Sequence, residues 1–140
     1  MLEIIVAGFI FMMFLTSFTS LWISTNKQFR YAVDRAKTSR EAYVTRTFLT
    51  TDLATATNVT ILEPDASFII AETSGSSVTY TLDGRNLARF ETVSDSSMTV
   101  AKNIASMSAQ LAPFIFDTSI VFTKDSTDVT VNARWDGRTN

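Results

Sequence analysis

The sequence contains no cysteine and no histidine among its 140 residues. The lack of cysteine excludes a disulfide framework and a thiol nucleophile, and the lack of both residues excludes the commonest zinc ligands and the commonest general base. Only four glycines and two prolines are present. Acidic and basic residues nearly balance, with a formal net charge of -2, so the chain has no global field that would attract nucleic acid.

Apolar residues are concentrated at the start of the chain, where no charged side chain occurs between Ile4 and Ile23. As a helix this run would cover about 30 Å, which matches the hydrocarbon thickness of a bilayer. No Lys or Arg precedes the run, and the run is longer than the apolar core of a cleaved signal. We therefore predict a retained hydrophobic helix over residues 1–25. Its hydroxyls are expected to bond back to carbonyls of their own helix: Thr16, Ser17, Thr19 and Ser20.

The helix is predicted to continue through residues 26–57, because this stretch contains neither Gly nor Pro. Steps of three, four and seven residues separate its apolar positions and indicate one amphipathic stripe. The stripe comprises Phe29, Val33, Ala36, Tyr43, Phe48 or Leu49, Leu53 and Ala56. The charged residues are assigned to a solvated face: Lys27, Arg30, Asp34, Arg35, Lys37, Arg40, Glu41, Arg46 and Asp52. An unbroken helix would be roughly 80 Å long, which requires an architectural reason.

The period changes after Thr57, and short β-branched or aromatic runs alternate with turn residues. Asp83-Gly84 indicates a hairpin, and residues 118–124 and 128–135 predict a second hairpin around KDST. Residues 100–107 are ambiguous; we assign a strand, with a short helical turn as the alternative. The predicted fold is α+β: a long N-terminal helix, hydrophobic and then amphipathic, packed on a small antiparallel sheet formed by residues 58–140.

Three features together resemble type IV pilins and pseudopilins: an acid at the head of an apolar helix, an amphipathic continuation ending in FLTTDLATATNV, and a small β-domain. Within the β-domain, TYTLDGRNLARF followed by VAKNIASM is similar to the hairpin and following strand of larger minor pilins and J-type pseudopilins. In those proteins a tyrosine-containing strand, a Gly turn and a Leu-x-Arg strand recur. The resemblance covers essentially the whole chain and implies a pilin-like fold.

The resemblance implies roles for several N-terminal residues. A prepilin peptidase would create the mature N-terminus at Met1, and the carboxylate of Glu3 would set axial register by meeting the terminal amine of a neighbouring subunit. The family's acid is the fifth mature residue, whereas here it is the third. Packing at the core of the filament would involve Ile4, Ile5, Phe9, Phe11, Phe14, Phe18 and Trp22.

The function implied is a structural subunit of a type IV pilus-like filament, with no enzymatic activity and no cofactor or metal. Its expected partners are other copies of itself in a helical homopolymer, the cytoplasmic membrane before assembly, the prepilin peptidase and the assembly machinery; no nucleic-acid contact is expected. The filament would then lie outside the cell. One alternative is a minor pilin or pseudopilin of a pilus, secretion or DNA-uptake machine. Another is a bitopic membrane protein with a small ligand-binding β-domain.

Three further motifs admit a functional and a structural interpretation. Asn58-Val59-Thr60 matches a glycosylation sequon, which also occurs often by chance. Asp125 and Asp128 are possible calcium ligands, but their spacing lacks the glycine and terminal glutamate of a calcium loop, so a plain hairpin turn is preferred. The aromatic residues of the apolar run suggest electron transfer, for which simple packing is the preferred explanation.

Overall fold

A computed structural model describes residues 2–72, 75–124 and 127–137. One helix precedes eight strands in this part of the chain. The elements are α1 (Leu2–Ala54), β1 (Ala56–Glu63), β2 (Ser67–Glu72), β3 (Ser77–Asp83), β4 (Asn86–Glu91), β5 (Ser96–Ala101), β6 (Ile104–Ala112), β7 (Ile115–Lys124) and β8 (Thr127–Asp136). The chain divides into two compact units, Met1–Asp34 and Arg35–Asn140.

Residues 2–54 form the helix that was predicted from the apolar run and from the stretch without Gly or Pro that follows it. The helix ends at Ala54 rather than at Thr57, because the β-branched stretch that follows joins the first strand. Ala56 is fully buried in that strand, so this apolar position belongs to the sheet and not to the helical stripe. The expected order, a helix followed by antiparallel strands, is confirmed as an α+β fold.

The first sheet is an antiparallel meander in the order β1-β2-β3-β4-β5. Asp83 pairs with Asn86 across the turn between β3 and β4, and Gly84 has a φ of 60°. A tight primed turn that has Gly as its first central residue requires this positive φ, so the predicted hairpin is confirmed. Its two central residues are Gly84 and Arg85, one position later than the predicted Asp83 and Gly84. The second predicted hairpin is also confirmed by the antiparallel pairing of β7 with β8, although Asp125 and Ser126 lie outside the described residues.

The prediction of one small sheet and of one strand over residues 100–107 is wrong. β5 ends at Ala101, and β6 begins at Ile104 in a second sheet with the order β6-β7-β8. Between them, Asn103 has a φ of 58°, which interrupts an extended strand. The backbone N–H of Lys102 donates to a carboxylate oxygen of Glu41 at 3.2 Å, which fixes this corner against the helix. Neither β5 nor β6 continues through this corner, and the alternative prediction, a short helical turn, is not formed there either.

The core of the second unit lies between the two sheets and the last turns of α1. Phe68 contacts both sheets, with ring centroids 5.2 Å from Tyr80 and 5.0 Å from Phe116. Leu49 and Leu53 are buried as predicted, whereas Phe48 is only partly buried against the core. The sheets are further joined where the N–H of Ala109 donates to the carbonyl of Pro64 at 2.7 Å.

The predicted helical stripe is only partly correct. Ala36 and Tyr43 are exposed, and Val33 is half-buried. The helical residues that are buried are Thr38, Ala42, Thr45, Leu49, Asp52 and Leu53. This set contains three polar and three apolar residues, so the helical face that contacts the sheets is mixed and not purely apolar. A small side chain lets the helix backbone approach the sheet closely, and the Thr45 hydroxyl is satisfied by the Glu41 carbonyl at 2.9 Å.

Candidate functional site

The apolar part of α1 leaves its large side chains uncovered within the first unit. Its most apolar 18-residue window has a mean hydropathy of 2.1, and none of that window is buried. By length and composition the helix is able to cross a membrane. The residues assigned to filament packing are exposed as follows: Ile4 75%, Ile5 70%, Phe9 67%, Phe11 62%, Phe14 67%, Phe18 58% and Trp22 62%.

These apolar side chains surround the helix instead of forming one stripe, which is the pattern of a helix that is covered on all sides. Only Phe14 and Phe18 have a described ring contact, with centroids 6.5 Å apart in a stacked arrangement. The prediction that the hydroxyls of the run bond to their own helix is confirmed for three of the four. Thr16 donates to the Met12 carbonyl at 3.0 Å, Ser17 donates to the Met13 carbonyl at 2.9 Å, and Thr19 donates to the Leu15 carbonyl. A polar group satisfied in this way can enter hydrocarbon at low cost.

Glu3 lies in the first turn of α1 with an exposed side chain. A carboxylate is stabilised there by the positive end of the helix dipole, which lowers the cost of carrying a charge at the head of an apolar segment. Met1, assigned to processing, lies outside the described residues. The start of α1 therefore carries one acid, Glu3, directly before a large uncovered apolar surface.

The second unit contains a buried ion pair that the sequence interpretation missed. Arg89 on β4 donates from Nε to Asp52 Oδ2 at 2.9 Å and from Nη2 to Asp52 Oδ1 at 3.1 Å. Only 13% of the Arg89 side chain and 6% of the Asp52 side chain are exposed. This two-bond geometry is the strongest form of an Arg–carboxylate pair. Asp52 was predicted to lie on the solvated face of the helix, and that prediction is wrong.

Tyr80 completes the cluster, because its hydroxyl donates to Asp52 Oδ2 at 2.6 Å. Tyr80 is directly opposite Arg89 in the β3–β4 register, so the hairpin delivers both donors to one carboxylate. Burial raises the pKa of the Tyr80 hydroxyl, and the hydrogen bond to Asp52 raises that pKa further. The hydrogen bond to Asp52 likewise raises the pKa of the Arg89 guanidinium, so Arg89 remains charged.

Two further contacts hold Arg89 in place. Its guanidinium carbon lies 5.8 Å from the ring centroid of Phe48, and its Nη1 atom is 3.5 Å from Glu91 Oε2. Chemically, the cluster is a fully paired carboxylate with no free nucleophile or base. Its effect is to fix the last turns of α1 on the β3–β4 hairpin with a defined register and rotation.

A sequence signal for Asp52 does exist. Thr38, Thr45 and Asp52 are spaced by seven residues and interleave with Ala42 and Leu49 at the same spacing. Steps of four and three residues define one helical face whether the residues are apolar or polar. The predicted stripe contained apolar residues alone, so it omitted the polar members of this face and passed through Tyr43 instead.

The other candidate sites have plain structural surroundings. Asn58 is exposed on β1 and opposite Ala71, so the sequon lies in an edge strand. Asp128 accepts a hydrogen bond from the Thr123 hydroxyl at 2.7 Å. Over residues 2–72, 75–124 and 127–137, no group of three or more acidic, His or Cys residues is arranged to hold a metal ion.

Comparison with known proteins adds no relative. No protein-family profile, no curated protein and no solved structure matches this chain. The interpretation of the two sites therefore depends on their own geometry and chemistry.

Proposed function

We propose that the chain is a structural subunit of a type IV pilus-like filament that polymerises through residues 2–23 of α1. The observation that carries the proposal is the uncovered apolar window, with a mean hydropathy of 2.1 and no buried part. Such a surface needs a cover, and a membrane before assembly and neighbouring helices after assembly both supply one. The proposal assigns the chain a structural role and no reaction.

The second unit is consistent with a separate role for the folded part of the chain, apart from the apolar helix. Its buried charges are paired, and no buried side-chain nitrogen or oxygen in the described residues lacks a hydrogen-bond partner. A unit that satisfies its own polar groups needs no partner to fold, so it is suited to being displayed outside a membrane. In the proposed filament, the folded units form the outer surface and the apolar helices pack at the axis.

The proposal gives Glu3 a specific task. Apolar side chains alone do not favour one axial register between packed helices. A buried charge pair between Glu3 and the terminal amine of a neighbouring copy would fix that register. The charge is costly in hydrocarbon until it is paired, so assembly recovers part of that cost. Pairing of this kind favours one register over all others.

Glu3→Ala tests this task directly in the full-length chain. We expect the variant to enter the membrane normally and its incorporation into sheared surface fibres to fall by about tenfold or more, since a tenfold change needs only about 1.4 kcal/mol. Glu3→Asp keeps the charge, so it serves as the matched control and should retain most of the fibre yield. Electron microscopy and mass spectrometry of the fibres measure the outcome. Normal fibre yield from Glu3→Ala would show that Glu3 does not set register.

A second candidate, a minor pilin or pseudopilin, is favoured by the β3–β4 hairpin. The tyrosine and arginine that carry that resemblance, Tyr80 and Arg89, act together on one carboxylate. The share of fibre mass distinguishes the candidates, because a major subunit dominates the fibre and a minor one is present in traces. If the chain stays in the membrane and no fibre contains it, a bitopic membrane protein is the better description.

A further inference from the structure

An apolar groove of about 390 Å³ runs along α1 in the second unit. Tyr43, Val44 and Phe48 form its apolar wall, and Arg89 forms part of its other side. Its volume falls within the range of about 300–1,000 Å³ that is usual for pockets that bind small molecules or inserted side chains. Tyr43 is 72% exposed although it is a large aromatic residue, so this wall has no cover within the unit.

A second uncovered apolar surface occurs elsewhere on the same unit; we call it the tip. It consists of Leu62 at the end of β1, Leu111 near the end of β6, and Phe114 in the following turn, with exposures of 55%, 49% and 60%. Leu62 and Leu111 line one depression. The Phe114 turn is held by a hydrogen bond from the Gly137 N–H to the Phe114 carbonyl at 2.7 Å. A fixed turn presents Phe114 as a projecting ring.

The charges around these two surfaces are opposite. Residues 35–46, the helical segment that contains Tyr43 and Val44 of the wall and the turns before them, have four basic residues against one acid. Beside the tip, Glu63 and Asp65 are exposed, and residues 56–72 contain no basic residue at all. Opposite charges around two apolar surfaces favour their encounter in one orientation and disfavour contact between like surfaces.

We propose that the tip of one copy of this chain inserts into the groove of a second copy. Phe114 enters between Phe48 and Tyr43, where its ring also meets the Arg89 guanidinium. The contact joins two different surfaces, so it is heterologous and leaves a free tip and a free groove at the two ends of any assembly. The choice of a second copy as the partner rests on the proposed function. The contact would join the folded units of successive copies.

The absence of cysteine makes the contact directly testable in the full-length chain. Thr47→Cys places a thiol in the groove lining, and Ala112→Cys places one beside Phe114; both positions are exposed. The two variants are co-expressed, and membranes and fibres are oxidised mildly. We expect the mixed disulfide between positions 47 and 112 to exceed, by about tenfold, the mixed disulfides of either variant with Ser97→Cys, an exposed position on β5.

A second variant separates the role of the ring from general damage. Phe114→Ser should reduce the 47–112 cross-link about tenfold, whereas Phe114→Leu should retain most of it. Val93→Ser is the matched control, because Val93 is an equally uncovered apolar residue, 73% exposed, outside both surfaces. We expect Val93→Ser to leave the cross-link unchanged.

The outcomes distinguish this contact from filament formation. A 47–112 yield no higher than that of the Ser97 pairs, or a cross-link to a different membrane protein instead, overturns the contact, while fibres that depend on Glu3 would still support the proposed function. A strong 47–112 cross-link in membranes without any fibre supports the contact and contradicts the filament role.

Discussion

Leu21 and Leu49 lie on the same helix, yet 67% of Leu21 is exposed and none of Leu49 is. The difference comes from what surrounds each part of α1 and not from the helix itself. The first part carries large apolar side chains on every side and none of its most apolar window is buried. The last part buries a narrow face of three apolar and three polar residues against two sheets. One element thus carries an external apolar surface at its start and an internal docking face at its end.

The comparison also shows where polar groups are tolerated. In the apolar part, the hydroxyls of Thr16, Ser17 and Thr19 donate to carbonyls of the same helix, so they need no partner from another element. In the folded unit, Asp52 is buried because the β3–β4 hairpin brings Arg89 and Tyr80 to it. A buried charge requires hydrogen-bond partners from other elements, whereas a hydroxyl in a helix can donate to a carbonyl of the same helix.

Removing residues 1–25 is expected to have the largest effect on membrane association and fibre formation. We expect complete loss of membrane association and of fibres, because the uncovered apolar surface is removed. The remaining chain of about 115 residues should stay folded, since domains of about 100–150 residues commonly fold alone. It should be monomeric in dilute solution, because a single small tip–groove contact is too weak to hold two copies together without the apolar helices. Circular dichroism and light scattering measure these outcomes. Fibres formed by the truncated chain would contradict assembly through α1, and an unfolded product would show that these residues contribute to the core.

Arg89→Ala tests the buried cluster of Asp52, Arg89 and Tyr80 in the second unit. Removing the partner of a buried carboxylate should lower the free energy of unfolding by about 3–5 kcal/mol, which urea denaturation measures. Arg134→Ala is the matched control, because Arg134 pairs with Asp117 at 3.8 Å and both side chains are more than half exposed. That surface pair should contribute less than about 1 kcal/mol.

A double variant sharpens the same test. If Asp52 and Arg89 stabilise each other, Asp52→Ala combined with Arg89→Ala should cost less than the sum of the two single substitutions. Additive costs would show that the pair is not coupled and that each residue acts through packing alone.

Leu49→Ala and Leu21→Ala make the same chemical change in the two parts of α1. In the detergent-solubilised full-length chain, Leu49→Ala should lower the free energy of unfolding of the second unit by about 2–5 kcal/mol, the usual cost of truncating a buried Leu. Leu21→Ala should change it by less than about 0.5 kcal/mol, because its side chain is exposed. Equal effects would mean that the two parts of the helix do not differ in their environment.

The sequence predicted the elements whose signal is local. The apolar run, the Asp83-Gly84 turn and the pairing of β7 with β8 each depend on neighbouring residues, and all three were found. The break at Asn103 and the second sheet were missed, because the residues of Val100–Met107 favour neither strand nor helix consistently. Asn103 tolerates the positive φ that it adopts, but no Gly or Pro beside it marks a turn. Asp52 was missed because its partners lie 28 and 37 residues further along the chain.

Tyr80→Phe tests the hydroxyl of the buried cluster. The variant loses a hydrogen bond to a charged acceptor and should be less stable by about 1.5–3 kcal/mol at neutral pH. It should also change the response to alkaline pH. The pKa of Tyr80 is raised in the folded chain, first by burial and then by the hydrogen bond to Asp52. The folded chain therefore keeps this proton at a pH where the unfolded chain releases it.

This difference in bound protons determines whether the free energy of unfolding rises or falls with pH. Below pH 10.0, the ordinary pKa of tyrosine, both states hold the proton, and the contribution of Tyr80 to stability is fully present. Above that pH the unfolded state gains by ionising, so the free energy of unfolding should fall by up to about 1.4 kcal/mol per pH unit. Tyr80→Phe should remove this part of the slope, and Tyr43→Phe, at an exposed position, is the control. Urea denaturation at a series of pH values provides the measurement, and an unchanged slope in Tyr80→Phe would contradict the assigned burial of the hydroxyl.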